Sequence, residues 1–233
     1  MEAKTWAVAV DGETVTATFE PATTPAAAPV YLLAHGAGGH MADRGVLATA
    51  HQLRGRGLHV VRFNFPYAER RSRRPDAMPL LQACIAAVAA TARREVGATR
   101  WLLGGRSMGG RAASMLAADG YACDGLLLLA YPLHPAGKPD RLRDAHLPRI
   151  TMPVLCVNGT RDALCERPLM ERVVSGLGPN FTMHWVDGAD HSFHVLKASG
   201  RDDAAVLDEI GEATTRWIGS LTGPPAAGRR TLR

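Results

Sequence analysis

From Trp101 to Ala117 the sequence passes from an apolar strand into a helix through one tight turn, Gly105-Arg106-Ser107-Met108-Gly109. A strand that reverses this sharply into a helix must lie inside a layered sheet, with the helix folded back against it. Ser107 then sits at the tip of the turn in a strained conformation, its hydroxyl pushed into the open. Gly105 and Gly109 flank it because a Cβ at either place would clash where strand and helix cross. Ala112, Ala113, Met115, Leu116 and Ala117 supply the apolar face of the helix that follows.

The rest of the chain repeats that alternation. Thr5–Val10 and Thr14–Phe19, joined through Asp11-Gly12-Glu13, predict an N-terminal antiparallel hairpin. A Pro/Ala/Thr connector covers Pro21–Pro29. Strands are predicted at Val30–Ala34, His59–Asn64, Trp101–Gly104, Gly125–Ala130, Pro153–Asn158 and Phe181–Val186. Helices are predicted at Asp43–Arg56, with Val46, Leu47, Ala50 and Leu53 inward, and at Ala77–Val96, Glu166–Gly176 and Ala204–Leu221. Nearly continuous apolar strands between helices imply an α/β fold: a doubly wound, mostly parallel sheet with helices on both faces. One domain is expected over residues 1–222, with a flexible tail at 223–233 after Gly223-Pro224-Pro225 stops the last helix.

Composition narrows the function classes. The 233 residues are 46% hydrophobic, and no window reaches the length of a membrane span. The start, Met1-Glu2-Ala3-Lys4-Thr5-Trp6, has no charged-then-apolar leader pattern. Cys84, Cys123, Cys156 and Cys165 form no CxxC pair, so reduced cytoplasmic thiols are expected rather than disulfides or a metal site. The net charge of +5 is scattered apart from Arg70-Arg71-Ser72-Arg73-Arg74 and Arg229-Arg230. It reads as a solvated basic surface, not a nucleic-acid footprint. No cofactor is expected, since Gly36–Gly39 lacks the Lys-Ser/Thr of a phosphate loop. The oligomeric state is not legible.

A serine hydroxyl needs a base to take its proton and a third group to orient that base. Strand ends later in the chain offer both: Asp162 follows the strand Pro153–Asn158, and His191 follows the strand Phe181–Val186. Catalytic groups in open α/β sheets collect at the carboxyl ends of strands, so Ser107, Asp162 and His191 are expected at one edge. Asp162 could also cap the next helix, and Asp187 and Asp190 are rival acids, though too near His191 in sequence. His184 lies within a strand as a packed or edge residue, and His194 could flank the pocket. Cys165 is a weaker nucleophile candidate than Ser107.

Acyl transfer also needs donors for the oxyanion. The Met108 N–H, at the start of the helix after Ser107, is one expected donor. The second is expected from His35-Gly36-Ala37-Gly38-Gly39, with Ala37 first and Gly38 next, and His35 bracing the loop. Arg106 and Arg111 are either structural or hold an anionic group of a substrate.

With these residues in view, the chain resembles the α/β-hydrolase superfamily over about Tyr31 to Leu221. It is most similar to a dienelactone-hydrolase-like group that includes a testis-expressed protein and a subunit of the NSL chromatin complex. Matching stretches are Leu33–Gly39, Asn64-Phe65-Pro66-Tyr67, Gly105–Arg111, Tyr131-Pro132-Leu133-His134-Pro135 with Gly137-Lys138-Pro139, Gly159–Asp162 and Gly188–Phe193. The resemblance implies the fold and a Ser107–His191–Asp162 triad. Between strands, Tyr131–Ile150 is too short for a domain-sized cap and too rich in proline to be helical. The expected activity is serine hydrolysis of a small-molecule ester, thioester or lactone, with peptides a further option. The alternative is a binding or scaffold protein that kept the fold and lost turnover.

Overall fold

The central strands are short, apolar and buried along their length, which requires a sheet covered on both faces. The computed structural model describes residues 2–24, 28–98 and 100–221. The strands are β1 (Lys4–Val10), β2 (Glu13–Glu20), β3 (Val30–Ala34), β4 (His59–Phe63), β5 (Trp101–Arg106), β6 (Gly125–Leu129), β7 (Val154–Gly159) and β8 (Phe181–Val186). They form one eight-stranded sheet in the order β1-β2-β4-β3-β5-β6-β7-β8. β1 pairs antiparallel with β2, and β2 antiparallel with β4; every other pairing is parallel. The expected hairpin is present, and Asp11 (φ 47°) and Gly12 (φ 81°) form its two-residue turn. Positive φ at both positions gives the turn a twist that matches the strands.

Among the described residues six α-helices surround the sheet: α1 (Arg44–Gly55), α2 (Pro66–Glu69), α3 (Met78–Glu95), α4 (Met108–Ala118), α5 (Arg167–Ser175) and α6 (Asp203–Ser220). On one face, Ile85 and Val88 of α3, Ala112 and Ala113 of α4, and Met170 of α5 enter one core. On the other, Val46, Ala50 and Leu53 of α1 meet Val206, Ile210 and Trp217 of α6. Burying each side chain of leucine size contributes roughly 1.5–3 kcal/mol, so the two cores are what hold the layers together. No helix among the described residues is long and apolar enough to cross a membrane.

Three details differ from the sequence reading. Leu47 is 41% exposed, and Thr49 takes the inward place instead. Thr49 can do so because its hydroxyl donates to the Gly45 carbonyl at 2.7 Å, leaving a methyl for the core. α2 was not anticipated; it starts at Pro66, whose fixed φ suits a first helical turn. β5 runs past Gly104 to Arg106, so the strand feeds straight into Ser107. Between β6 and β7, residues Tyr131–Ile150 hold one 3-10 turn, Leu147–Arg149, and no α-helix. That segment lies against α4, where Ser114 Oγ and His146 Nε2 are 2.8 Å apart. The expected mobile tail after the last helix lies outside the described residues.

Candidate active site

The elbow after β5 strains one residue to expose it. Ser107 has φ 49° and ψ −117°, a conformation a non-glycine residue holds only when its surroundings impose it. Its N–H donates to Leu129 O at 2.8 Å, and its carbonyl accepts from Arg111 N at 3.0 Å, the start of α4. The flanking glycines leave no alternative. A Cβ at Gly105 would stand 2.3 Å from Ala34 O, and one at Gly109 2.6 Å from His35 O.

The loop after β8 brings His191 to this hydroxyl, with Nε2 2.9 Å from Ser107 Oγ. Its Nδ1 is 2.9 Å from both carboxylate oxygens of Asp162. A carboxylate can only accept, so Nδ1 carries the proton and Nε2 is free to accept from the serine. Asp162 is 4% exposed and well supplied with donors. Leu164 N–H donates to it at 2.8 Å, and Asn158 Nδ2 at 3.1 Å. The rival acids are occupied elsewhere. Asp190 Oδ1 accepts from Ser192 N (2.8 Å) and His194 N (3.0 Å), shaping the loop that carries His191. Asp187 accepts from the Thr160 hydroxyl at 3.2 Å. His184 pairs with Glu209 at 2.9 Å on β8, at the edge of the sheet. Cys165 is buried beside Asp162; burial first, and then that charge, push its thiol well up and keep it protonated.

Asn158 was missed in the sequence. It is fully buried at the end of β7, donating to Tyr131 O (3.0 Å) while accepting from Tyr131 N (3.0 Å). It therefore ties the acid to the strand end nearest the serine. Its signal was a polar residue closing an otherwise apolar strand, which a solvent-facing strand terminus imitates.

The other candidates divide between two sides of Ser107. Ala37 and Gly38 lie in a turn closed by Gly39 N–H donating to Gly36 O at 3.2 Å. A Cβ on Gly36 would lie 3.7 Å from Ser107 Cβ, so this turn borders Ser107. Met108 opens α4, and its N–H belongs to the set that has no partner inside the helix. His35 braces the loop as expected: Nδ1 meets Gly36 O at 2.9 Å, and Nε2 accepts from Phe65 N at 3.2 Å.

Arg106 and Arg111 are not brought into one pocket. Arg106 donates to Ser192 O at 3.2 Å and lies 5.7 Å over the Phe193 ring. It fills the space above Gly45, where a Cβ would stand 2.0 Å from Nη1. Burial lowers its pKa. Together with Arg44, His194 and Asp203 it lines a cavity of about 490 Å³ beside the His191 loop. His194 is exposed there, 2.9 Å from Asp203. Arg111 instead faces Tyr131, Arg143 and His146, and its buried Nε has no hydrogen-bond partner.

Known proteins share this architecture. A family model described as an alpha/beta hydrolase domain matches residues 27–219. An α/β serine hydrolase homologue from Coxiella burnetii has a TM-score of 0.73 at 20% identity, over 91% of this chain and 96% of that one. A lidless member of the α/β serine hydrolases from Xanthomonas campestris gives 0.72 at 22%, over 93% and 95%. Dienelactone hydrolase from Anabaena variabilis gives 0.69 at 18%, over 94% and 98%. At these identities the likeness is one of fold. The family match covers most of the chain, and the chain belongs to the α/β-hydrolase superfamily, with a dienelactone-hydrolase-like architecture.

Proposed function

We propose that this protein is a serine hydrolase that cleaves a small ester, thioester or lactone through an acyl-enzyme. The observation that carries the reading is the unbroken line from Ser107 Oγ through His191 to Asp162, each step 2.9 Å, on a strained elbow. In the first half-reaction Ser107 Oγ bonds to the substrate carbonyl carbon, and its proton passes to His191 Nε2. The carbonyl oxygen takes the negative charge and is held by the Ala37 and Met108 N–H groups. Collapse of the tetrahedral species breaks the bond to the leaving group, which receives the proton from His191. Water then repeats the sequence on the acyl-enzyme, giving its proton to His191 and restoring Ser107. Asp162 stays ionised throughout and holds the imidazole in its tautomer.

The short Tyr131–Ile150 segment and the lidless Xanthomonas relative support an open site for small substrates. The Anabaena relative's name supports an ester or lactone bond. Four buried free thiols support a reducing compartment such as the cytoplasm. A panel of short-chain esters, thioesters and lactones, assayed with the wild type and Ser107→Ala, tests the reading. Turnover of at least one class, reduced by several orders of magnitude in the folded variant, is expected. Equal rates in the two proteins would refute it.

A further inference from the structure

The Gly36 carbonyl, on the oxyanion side of Ser107, accepts three hydrogen bonds. Gly39 N–H donates at 3.2 Å, closing the turn. His35 Nδ1 lies at 2.9 Å and the Tyr67 hydroxyl at 3.0 Å. The proton positions follow from the partners. His35 Nε2 accepts from Phe65 N–H, so the single proton of the neutral ring is on Nδ1 and points at Gly36 O. Burial holds that ring neutral, with its pKa pushed down to about 4. Tyr67 lies 3.3 Å from the same Nδ1, which already carries a proton, so the hydroxyl donates to the carbonyl. Burial pushes this phenol up to about 12, so it keeps that proton.

Tyr67 is itself fixed. It lies in α2, its N–H donates to Asp76 at 2.8 Å, and its ring stacks on Phe65 and meets His35 edge-on. A trans peptide unit is planar, with C=O and N–H opposed. Holding the Gly36 oxygen inward therefore aims the Ala37 N–H of the same unit outward, on the side where Gly36 borders Ser107. Three donors on the carbonyl also polarise the unit and strengthen that N–H as a donor. Gly38, at φ 71°, is the third residue of the turn, a position where a left-handed conformation keeps the loop in this form.

We propose that Tyr67 is a positioning residue for the oxyanion site, acting through the Gly36 carbonyl to aim and polarise the Ala37 N–H. This rests on the reading of Ser107 as nucleophile and Ala37 as oxyanion donor. Tyr67→Phe removes one hydroxyl and keeps the ring packing. Its kcat should fall about tenfold, in line with loss of part of one oxyanion contact, while KM stays within about twofold. Inhibition by a trifluoromethyl ketone, which binds as an oxyanion adduct, should weaken in parallel. Tyr121→Phe is the control for a merely structural effect. It removes another phenol hydroxyl, which donates to Ala86 O at 3.4 Å, away from Gly36 and from the Ser107 elbow. That variant should lose thermal stability with kcat unchanged. A Tyr67→Phe enzyme with wild-type kcat and ketone affinity would overturn the proposal while leaving the serine hydrolase reading intact. So would a kcat loss that Tyr121→Phe reproduces at equal loss of stability. A wild type inactive on every ester and unlabelled by fluorophosphonate would sink both together.

Discussion

The two sides of Ser107 are built differently. On the base side, side chains do the work: His191 and Asp162 reach the serine from two separate strand ends. The imidazole there is 28% exposed, so it can meet solvent and a leaving group. On the side proposed to hold the oxyanion, the donors are backbone amides, and side chains pack behind them. His35 and Tyr67 are both buried and hold the Gly36 carbonyl, whose peptide unit carries the proposed Ala37 donor. An imidazole on a loop is aimed by rotation about two side-chain bonds and by the carboxylate behind it. A backbone donor must be aimed by what packs behind it, and His35 and Tyr67 are buried there although Ala37 itself is exposed.

The largest expected effect breaks the base side. Asp162→Asn should lower kcat about 10⁴-fold by allowing the wrong tautomer of His191. Asp190→Asn should cost less than about tenfold, because Asp190 shapes the loop and does not touch the imidazole. The measurement is steady-state turnover of one short ester by both variants. If Asp190→Asn proves the crippling change, the wrong carboxylate has been placed behind His191.

A smaller effect separates the sides by structure. Asn158→Ala strips donors and acceptors from both Tyr131 backbone groups and one donor from Asp162. Leaving buried backbone groups unpaired costs about 1–3 kcal/mol each, so the urea midpoint should drop clearly. Turnover should fall as well, since Asp162 loses a support. Unchanged stability would mean that water replaces the amide and that the strand-end tie is unimportant.

The sequence made the base side legible and left the other half hidden, for a physical reason. Ser107, Asp162 and His191 are polar residues placed just past apolar strands, in an order that few other constraints produce. Tyr67 and Asn158 carry no such mark. A tyrosine after a proline and an asparagine at a strand end are common, and their roles depend on what lies across the fold. The strands were placed to within a residue or two because continuous apolar runs leave little choice. α2, at four residues, is too short for periodicity to reveal. The Leu47–Thr49 exchange turned on a side-chain hydrogen bond to the helix's own backbone, which no hydropathy pattern records.

A further test concerns acid. His35 and His146 are both pushed down to about 4 from the ordinary 6.5, chiefly by burial. Between those values the unfolded chain binds protons that the folded one refuses. The contribution of these two groups to stability is therefore full above about pH 6.5 and is lost as pH falls toward about 4. The midpoint of urea unfolding should track that window. His146→Gln, which removes one of the two groups and leaves the oxyanion side intact, should make the decline shallower. A curve of identical slope in the variant would remove His146 from the account.

The smallest expected effect concerns acyl length. Each methylene gains about 0.8 kcal/mol only where a dry wall receives it, and Tyr131–Ile150 provides no helical lid. Along a series of p-nitrophenyl esters, kcat/KM should stay nearly level or fall with chain length, with no jump above the micelle concentration. A steep climb would reveal a greasy channel behind one of the two sides.

The most direct test of the central claim is covalent. Wild-type protein treated with a fluorophosphonate should gain one adduct, mapped by peptide mass to Ser107, and Ser107→Ala should gain none. Only an activated serine in working alignment with His191 reacts this way at a useful rate. A wild type that stays unmodified, or a Ser107→Ala variant labelled to the same extent, would contradict the account.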